Sequence, residues 1–488
     1  MHNTTFLTKN FTREEFTTGW SYLTDKSGQP CHGITTVLDD QIICESKEKL
    51  FSLNLLLEVP EFGKVMLRTD VVSSDKEKHD LLSELIKGRI AQIKKEIYAN
   101  KNLVPNSYKK RLLTLTKQKA SLKKLSKAMF LGEEIVFFNS KKKLQRKIKN
   151  GQANIMLGGQ AFGIEKDQKY KDIHEKTFTL GIAPIYFFLL KNESKEKINW
   201  ELTDKAVEFL VKTNRPIKGH PLVWLHKYAR PDWMLTLSFP ELKAFLKEHI
   251  ITVINRYKDK IKIWDIVNEM PAEDANGFDL TLEQTLEITK MTSQLVKKLQ
   301  PEAERIINFS EIFGAHSYIH EKPSVPPLYF LKRCVEYGVE FEGIGLQFYM
   351  GMKKEFVCRE LLNISQSVDD FLVLKKNLHF SELGWPSKHD IDPDCFFSSD
   401  HPEVAGRWHR GWDEALQAEF LEKIYTIFAS KDKTRDITWW DITDNGVHED
   451  IGSRFIPFSG LTRRDYSPKP ALKTLQKFKE QLNSKAKL

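Results

Sequence analysis

Long apolar runs, metal-type cysteine spacings and glycine-rich phosphate loops are all missing from this chain of 488 residues. No stretch approaches the roughly 18 consecutive apolar residues of a membrane span. The opening MHNTTFLTKNFTREEF also lacks the apolar core of a secretory leader. We therefore expect no membrane span and no Sec leader in the chain as written. Its location stays open between the cytoplasm, export by another route and a leader already removed.

Cysteine is scarce and irregularly placed. The five cysteines are Cys31, Cys44, Cys334, Cys358 and Cys395. Their number is odd and their spacings match no zinc motif. We expect reduced structural cysteines, with a disulfide between Cys31 and Cys44 as the alternative.

Acidic residues are absent from one segment, and this absence accounts for the charge of the chain. The formal net charge is +9, and residues 101–127 contain nine Lys or Arg and no Asp or Glu. Apolar residues recur there at helical spacing, at Tyr108, Leu112, Leu115, Leu122, Leu125 and Met129. This pattern predicts an amphipathic helix with a solvated basic face. A site for a polyanion or a membrane surface is the alternative, but few aromatics are interleaved for base stacking, so we expect no nucleic-acid partner.

The first 150 residues differ in pattern from the rest. Alternating runs predict antiparallel strands at KLFSLNLLLEV, GKVMLRTDVV and GEEIVFFNS. Between the second and third runs lies a helical pattern at about 78–128, with a first helix near 78–99 and a break at Pro105. We predict a β-sandwich accessory domain over residues 1–150 with a helical-hairpin insertion. We expect it to serve in packing or as a spacer, with carbohydrate binding as the alternative.

From residue 151 the pattern changes to strands alternating with helices. Eight strands are predicted, at 155–163, 178–187, 216–224, 261–269, 305–310, 341–349, 377–383 and 436–444. Helical periodicity fits between them, as at 240–258 and 280–300. The pattern predicts a (β/α)8 TIM barrel over residues 151–488. An open doubly wound sheet is the alternative, but no strand is followed by a phosphate loop.

Polar and aromatic side chains collect at the carboxyl ends of the predicted strands, where the chemistry of such barrels lies. They are His220, Trp224, Asn268, Glu269, Gln347, Tyr349, Glu382, Trp440 and Asp444. Tyr186 and Asn308, at the second and fifth strand ends, complete the predicted substrate-binding set. Their convergence on one rim predicts a functional site.

Two carboxylates on different strands suit a retaining glycosidase. One, with a raised pKa, protonates the leaving oxygen, and the other attacks the anomeric carbon. Glu269 and Glu382 fit these roles, and a retaining pair lies about 5–5.5 Å apart. Asn268, beside Glu269, is placed to bind the 2-hydroxyl of the sugar.

Six segments resemble the family 10 glycoside hydrolases, which are (β/α)8 endo-β-1,4-xylanases. They are KGHPLVWLHKYARPDWM (218–234), IWDIVNE (263–269), GIGLQFY (343–349), SEL (381–383), ITWWDITD (437–444) and SGLTRRDYSPKPAL (459–472). The resemblance implies Glu269 as acid/base, Glu382 as nucleophile, and Asn268, His220 and Gln347 as contacts around the cleaved sugar. It implies Trp440 as an aromatic wall, a poly- or oligosaccharide substrate, and no metal or cofactor.

The chain departs from the family pattern around the sugar sites. PIYFFLLKN (184–192) replaces the segment in which xylanases carry substrate-binding Asn and Lys, and Tyr349 replaces a histidine. Leu225 also replaces a histidine, and His448 stands where a tryptophan is usual. The variant pattern is similar to a divergent set of bacterial family-10-like proteins with a sandwich region in front.

Nine of the ten tryptophans follow residue 199, and Trp385, Trp408 and Trp412 crowd the loop after the seventh strand. We consider sugar stacking or core packing for each of these three, and packing for Trp233 and Trp264. We expect a monomeric retaining hydrolase of a β-1,4-linked glycan, xylan or a related polymer. A different β-glycan or oligosaccharide and a catalytically silent glycan-binding barrel remain the alternatives.

Overall fold

The structure is a computed structural model. It describes residues 2–12, 16–191, 193–227, 229–272, 275–310, 312–313, 325–351, 358–390, 407–444 and 458–484, without the side chains of residues 17–20. Cys395 and His448 lie outside these ranges.

Nine strands form two sheets in the N-terminal region. They are β1 (His2–Leu7), β2 (Phe16–Asp25), β3 (Pro30–Cys31), β4 (Gly33–Val37), β5 (Gln41–Ser46), β6 (Leu50–Val59), β7 (Gly63–Arg68), β8 (Val72–Ser73) and β9 (Lys78–Asp80). One sheet has the order β4-β5-β1-β9, and the other has the order β3-β2-β6-β7 with β8 paired to β6. All pairs are antiparallel except β1 with β9. Cys31 and Cys44 are free, so the alternative of a disulfide between them is wrong.

Three helices follow these sheets: α1 (Leu81–Ala99), α2 (Asn106–Thr116) and α3 (Leu122–Lys149). Asp80 caps α1 and Ser121 caps α3, each by accepting a hydrogen bond from a backbone amide three residues ahead. The helices predicted near 78–99 and after Pro105 are confirmed, although the second pattern is divided between α2 and α3.

The strand predicted at GEEIVFFNS (132–140) is wrong, because this segment lies in the middle of α3. Helix α3 packs against α1 on one side and against two barrel helices on another. It therefore buries residues on more than one face, including Leu131, Ile135 and Val136. Two buried faces obscure the 3.6-residue period and produce apolar neighbours that resemble a strand. The helices are followed directly by the barrel, and the division near residue 150 stays a prediction.

Eight parallel strands close into a barrel, which confirms the predicted fold. They are β10 (Met156–Gln160), β11 (Leu180–Pro184), β12 (Ile217–His220), β13 (Ile263–Asn268), β14 (Glu304–Phe309), β15 (Gly343–Tyr349), β16 (Asn377–Gly384) and β17 (Thr434–Trp439). Each strand falls on one of the eight predicted segments. The last ends before Trp440 and Asp444, which belong to the following loop.

The helices associated with the barrel are α4 (Gln168–Thr177), α5 (Phe187–Leu190), α6 (Glu201–Lys212), α7 (Phe239–Tyr257), α8 (Leu282–Leu299), α9 (Pro327–Glu336), α10 (Leu361–Phe371), α11 (Glu414–Ser430) and α12 (Pro470–Leu482). Helices α7 and α8 confirm the patterns at 240–258 and 280–300, and each begins with a capping box, formed by Ser238 with Glu241 and by Thr281 with Gln284. In the part of the chain that the structure describes, no helix is both long and apolar enough to cross a bilayer.

The tryptophans after β16 belong to the core. Trp385, Trp408 and Trp412 are at most 3% exposed, so the sugar-stacking interpretation is wrong for all three. Trp264 is also fully buried, and its indole nitrogen donates to Gln300 Oε1 at 2.8 Å, as its packing role requires. Trp233 is partly buried and packs against the core, which also agrees with the prediction.

The N-terminal helices are joined to the barrel by buried polar contacts. Arg89 Nη1 in α1 lies 2.6 Å from Glu360 Oε1, which precedes α10. Glu133 in α3 accepts hydrogen bonds from the Leu361 backbone N–H, Trp408 Nε1 and His409 Nε2, at 2.7–2.9 Å. Since all of these residues except the partly buried His409 are buried, their pairing avoids the cost of leaving charges and donors unsatisfied.

Candidate active site

Glu269 and Glu382 lie at the carboxyl ends of strands β13 and β16. Glu269 directly follows β13 with a φ of 56°, and its backbone N–H donates to the Asn308 carbonyl at 2.9 Å. Glu382 lies in β16, in register with Gln347 of the neighbouring strand β15. A left-handed backbone is unfavourable for a side chain such as glutamate, so the backbone hydrogen bond helps hold Glu269 in place.

The amide of Gln347 links the two carboxyl groups. Its Nε2 lies 2.7 Å from Glu269 Oε1 and 2.9 Å from Glu382 Oε1. The two oxygens are therefore separated by no more than the sum of these distances. This limit lies below the roughly 6.5–9.5 Å of inverting pairs and close to the ~5–5.5 Å of retaining pairs.

Glu382 receives more hydrogen bonds than Glu269. Besides Gln347, the hydroxyl of Tyr349 donates to its Oε2 at 2.6 Å and Asn308 Nδ2 donates to its Oε1 at 3.1 Å. His220 Nε2 lies 3.6 Å from Oε1. These donors favour the ionised form of Glu382.

Glu269 has fewer hydrogen-bond donors than Glu382 among the described residues, and its pKa is raised. Trp224 Nε1 donates to its Oε2 at 2.8 Å, in addition to the bond from Gln347. Burial, reinforced by the negative charge of Glu382, raises the pKa of Glu269 to about 7. Burial also raises the pKa of Glu382, but His220 and Tyr349 oppose the shift. The arrangement therefore places the proton on Glu269 and the charge on Glu382.

His220 is oriented by Asp265, a residue that the sequence reasoning missed. The Asp265 carboxylate lies 2.7 Å from His220 Nδ1, which leaves Nε2 facing Glu382. Burial disfavours the imidazolium, but the hydrogen bond to Asp265 and the charge of Glu382 outweigh it and raise the pKa of His220. The signal was present, since Asp265 is the polar residue within the buried run IWDIVNE.

The side-chain amides of Asn268 and Asn308 form a hydrogen-bonded pair beneath the two carboxylates. Asn308 Nδ2 donates to Asn268 Oδ1 at 2.7 Å, and Ser381 Oγ donates to Asn308 Oδ1 at 2.5 Å. Asn308 is completely buried. Ser381 belongs to the segment SEL, and its contact with Asn308 depends on the adjacency of β14, β15 and β16. The pair fixes the direction of the Asn268 amide next to Glu269.

Aromatic rings line the other side of the site. Tyr186 contacts Trp224 and His220, with ring centroids 5.4 and 5.6 Å apart, and stacks on Phe188 at 5.1 Å. Trp440 contacts His220 at 5.4 Å. The structure thus brings ten of the eleven predicted rim residues together, with eight of them around Glu269 and Glu382, and leaves out only Asp444. Phe188, which the sequence reasoning did not single out, joins them.

Asp444 is turned away from this cluster. Its Oδ1 accepts a hydrogen bond from Lys469 Nζ at 2.6 Å and another from the Gly460 backbone N–H at 2.9 Å. The expected convergence of Asp444 on the site is wrong, because this ion pair ties the loop after β17 to the start of α12. Among the residues that the structure describes, no group of three or more His, Cys, Asp or Glu side chains is arranged to hold a metal ion.

Comparison with known proteins identifies the family to which this site belongs. The model of glycosyl hydrolase family 10 matches residues 185–478. The chain belongs to glycosyl hydrolase family 10. The match begins after strand β11, so two barrel strands and the whole N-terminal region lie outside it. Family membership makes the chain a glycoside hydrolase.

Relatives of this family 10 member are distant in sequence. Endo-1,4-beta-xylanase B of Thermotoga neapolitana is 24% identical over 304 residues, which are 59% of this chain and 76% of the relative. An endo-1,4-beta-xylanase/feruloyl esterase of Xylanibacter ruminicola is 24% identical over 297 residues, which are 57% of this chain and only 39% of the relative.

Solved structures agree with the barrel architecture. Xylanase 10B from Thermotoga petrophila in complex with xylobiose has a TM-score of 0.52 and 23% identity, covering 70% of this chain and 97% of that one. A family 10 structure from Paenibacillus barcinonensis has a TM-score of 0.52 and 19% identity, covering 70% of this chain and 97% of that one. These similarities show the shared (β/α)8 fold.

Proposed function

We propose that this family 10 hydrolase cleaves a β-1,4-linked glycan with retention of anomeric configuration, using Glu269 as acid/base and Glu382 as nucleophile. The observation that carries the proposal is the bridge from Gln347 Nε2 to both carboxyl groups, which keeps their bridged oxygens closer together than the carboxyl groups of inverting pairs. The raised pKa of Glu269 supports its role as proton donor.

In the first step, Glu382 Oε attacks the anomeric carbon and forms a glycosyl ester. The bond from that carbon to the glycosidic oxygen breaks at the same time, and Glu269 transfers its proton to the departing oxygen. Tyr349 and Asn308 hold the attacking carboxylate by hydrogen bonds to its two oxygens. They restrict its orientation before the substrate arrives.

In the second step, the ionised Glu269 accepts a proton from water while the water oxygen attacks the anomeric carbon. The ester bond breaks and Glu382 is released as a carboxylate. Since Oδ1 of Asn268 accepts from Asn308, its Nδ2 is the group directed to the 2-hydroxyl of the sugar. That contact strengthens as positive charge develops on the ring.

The substrate that we propose is xylan or a related β-1,4-linked polymer. The support comes from the names of the relatives, which are endo-1,4-beta-xylanases. A different β-glycan is the second candidate, and one observation favours it. Tyr186 and Phe188 stack their rings where xylanases carry a polar Asn and Lys, so this wall of the site is aromatic rather than polar.

The test is incubation of the full chain with xylan, glucomannan, mixed-linkage glucan and carboxymethyl cellulose, with new reducing ends as the readout. Proton NMR during the first minutes gives the configuration of the new anomeric centre. We expect cleavage of xylan or one of the other β-glycans with a β-anomer as the first product. An α-anomer would contradict retention, and no cleavage of any polymer would favour a glycan-binding barrel.

A further inference from the structure

A cavity lies between the N-terminal region and the barrel, and neither Glu269 nor Glu382 lines it. It is a cleft open to solvent, with an empty volume of about 700 Å³ when the open solvent space within it is included. The sheet side contributes Tyr22, Asn54 and Arg68 from strands β2, β6 and β7. The barrel side contributes residues from the loop after β14, the start of α9, and α10 with the residue Arg359 that precedes it.

Arg359 is a buried cation at this cavity. It is 5% exposed, and its guanidinium lies 4.4 Å from the centre of the Phe313 ring and interacts with Tyr22. Within the ranges that the structure describes, no carboxylate lies within ion-pair distance of it. Burial lowers the pKa of Arg359, which reflects the cost of holding the charge in this environment. Arginine is rarely this buried unless an anion is present.

A second guanidinium strengthens the positive character of the cavity. Arg68 lines the cavity from the end of β7. Among the described residues that line the cavity, the single acidic side chain is Asp370. Burial raises the pKa of Asp370, so its ionised form is disfavoured there. Two arginines facing one carboxyl group leave the cavity suited to an added anion.

The side chain of Asn363 indicates that the cavity can bind a hydroxyl group. The side-chain oxygen of Asn363 in α10 is buried and has no hydrogen-bond partner among the described residues. An amide oxygen can only accept, so its partner must be a donor such as a hydroxyl. A buried acceptor without a partner is unfavourable, and a hydrogen bond from a bound hydroxyl would remove this cost. The Phe313 ring and Pro327 add apolar surface on which a sugar ring can pack.

We propose that this cavity binds an anionic carbohydrate unit, whose carboxylate or phosphate pairs with Arg359 and Arg68 and whose hydroxyl donates to Asn363. The cavity is close to the catalytic centre, because Pro327 also lines a smaller cavity that contains Glu269. The proposal does not depend on the roles of Glu269 and Glu382, since it concerns binding at a separate cavity.

Titration calorimetry of the full chain with D-glucuronate, glucose 6-phosphate, glucose and inorganic phosphate tests the proposal. We expect glucuronate or glucose 6-phosphate to bind at least about tenfold more tightly than both glucose and inorganic phosphate. Tighter binding of glucuronate identifies a sugar carboxylate as the ligand, and tighter binding of glucose 6-phosphate identifies a sugar phosphate. The proposal would be overturned if neither glucuronate nor glucose 6-phosphate bound more tightly than inorganic phosphate, because the sugar would then contribute nothing.

Arg359→Met and Arg68→Met should each weaken that binding by about tenfold or more. Arg68 is only partly buried and offers a variant with little risk to folding if Arg359→Met is unstable. Arg333→Met is the matched control, because Arg333 lies on α9 and pairs with Glu336 at the surface. Anionic sugars that bind no better than glucose, or that bind equally to wild type and to Arg68→Met, would overturn the proposal.

Discussion

Glu269 and Glu382 are chemically identical side chains whose surroundings give them different properties. Glu382 receives hydrogen bonds from Tyr349, Asn308 and Gln347, with His220 nearby. Among the described residues, Glu269 receives two hydrogen bonds, and it faces the charge of Glu382. Two carboxyl groups that share one donor cannot both ionise without strong repulsion. The proton is therefore held on Glu269, the carboxyl group with fewer hydrogen-bond donors among the described residues.

The proposed roles predict different products when azide replaces each carboxylate. Glu382→Ala should lose at least about a thousandfold in kcat, since no covalent intermediate can form. Azide, tested with an activated aryl glycoside, should restore turnover and give a glycosyl azide of inverted configuration. Glu269→Ala still forms the intermediate, so azide should give the retained configuration. NMR of the azide products distinguishes them, and the reverse pattern would exchange the two roles.

The pKa of Glu269 predicts the alkaline limit of activity. Glu269 must be protonated in the free enzyme to act as the acid, so kcat/KM should fall as the pH rises through about 7. With a substrate whose leaving group needs no protonation, the fall of kcat/KM at alkaline pH should be weaker for Glu269→Gln than for wild type. If the alkaline fall of kcat/KM is the same in Glu269→Gln and in wild type, a group other than Glu269 causes it.

The same shift affects stability. A folded-state pKa above the unfolded value means that the folded protein binds more protons, so unfolding free energy falls as the pH rises from about 4.3 to about 7. Glu269→Gln removes this loss and should gain on the order of 2–3 kcal/mol relative to wild type between pH 4.5 and pH 8. Urea denaturation at the two pH values measures the difference. An equal difference at both would contradict the raised pKa.

Among the secondary-structure elements, α3 connects the N-terminal region to the barrel. It contacts α1, α10 and α11, and Gly132 in its middle lies against Leu362 of α10. A Cβ at Gly132 would come within 2.8 Å of the Leu362 side chain, so the glycine permits the close approach of the two helices.

Glu133 on this helix supplies a test with a neighbouring control. Glu133→Ala leaves the indole of Trp408, the ring of His409 and the Leu361 backbone N–H without their acceptor. We expect a loss of about 2–4 kcal/mol in unfolding free energy. Glu134→Ala removes an exposed pair with Arg111 and should cost less than about 1 kcal/mol. Chemical denaturation of both compares them, and equal losses would refute the buried role of Glu133.

At the scale of the whole molecule, the N-terminal region shares an apolar core with the barrel. Leu125, Ile135 and Leu144 of α3 belong to the same buried cluster as Leu362 and Phe428 of the barrel helices. This continuity supports a packing role for residues 1–150. Their carbohydrate-binding role stays a prediction, and affinity electrophoresis of the region in polysaccharide gels measures it.

Removal of the N-terminal region should therefore damage the barrel. A fragment of residues 151–488 exposes the faces of α10 and α11 that α3 covers, as well as the unpaired Glu360. We expect a Tm lower by several degrees, increased ANS binding and a tendency to aggregate. Thermal unfolding of fragment and full chain tests this. A fragment as stable as the full chain would show that the two regions fold independently.

The sequence by itself determined the barrel and the identity of its polar rim. Barrel strands such as IWDIVNE are short buried runs with a polar end, and helices such as α7 and α8 have a local period and a capping box, so these segments were recognisable alone. Only the tertiary structure decided what each side chain contacts. The link from Gln347 to both carboxylates, the pairing of His220 with Asp265 and the covering of α3 on two faces join residues far apart in the chain. Such contacts leave no local period, because they depend on the packing of elements against one another.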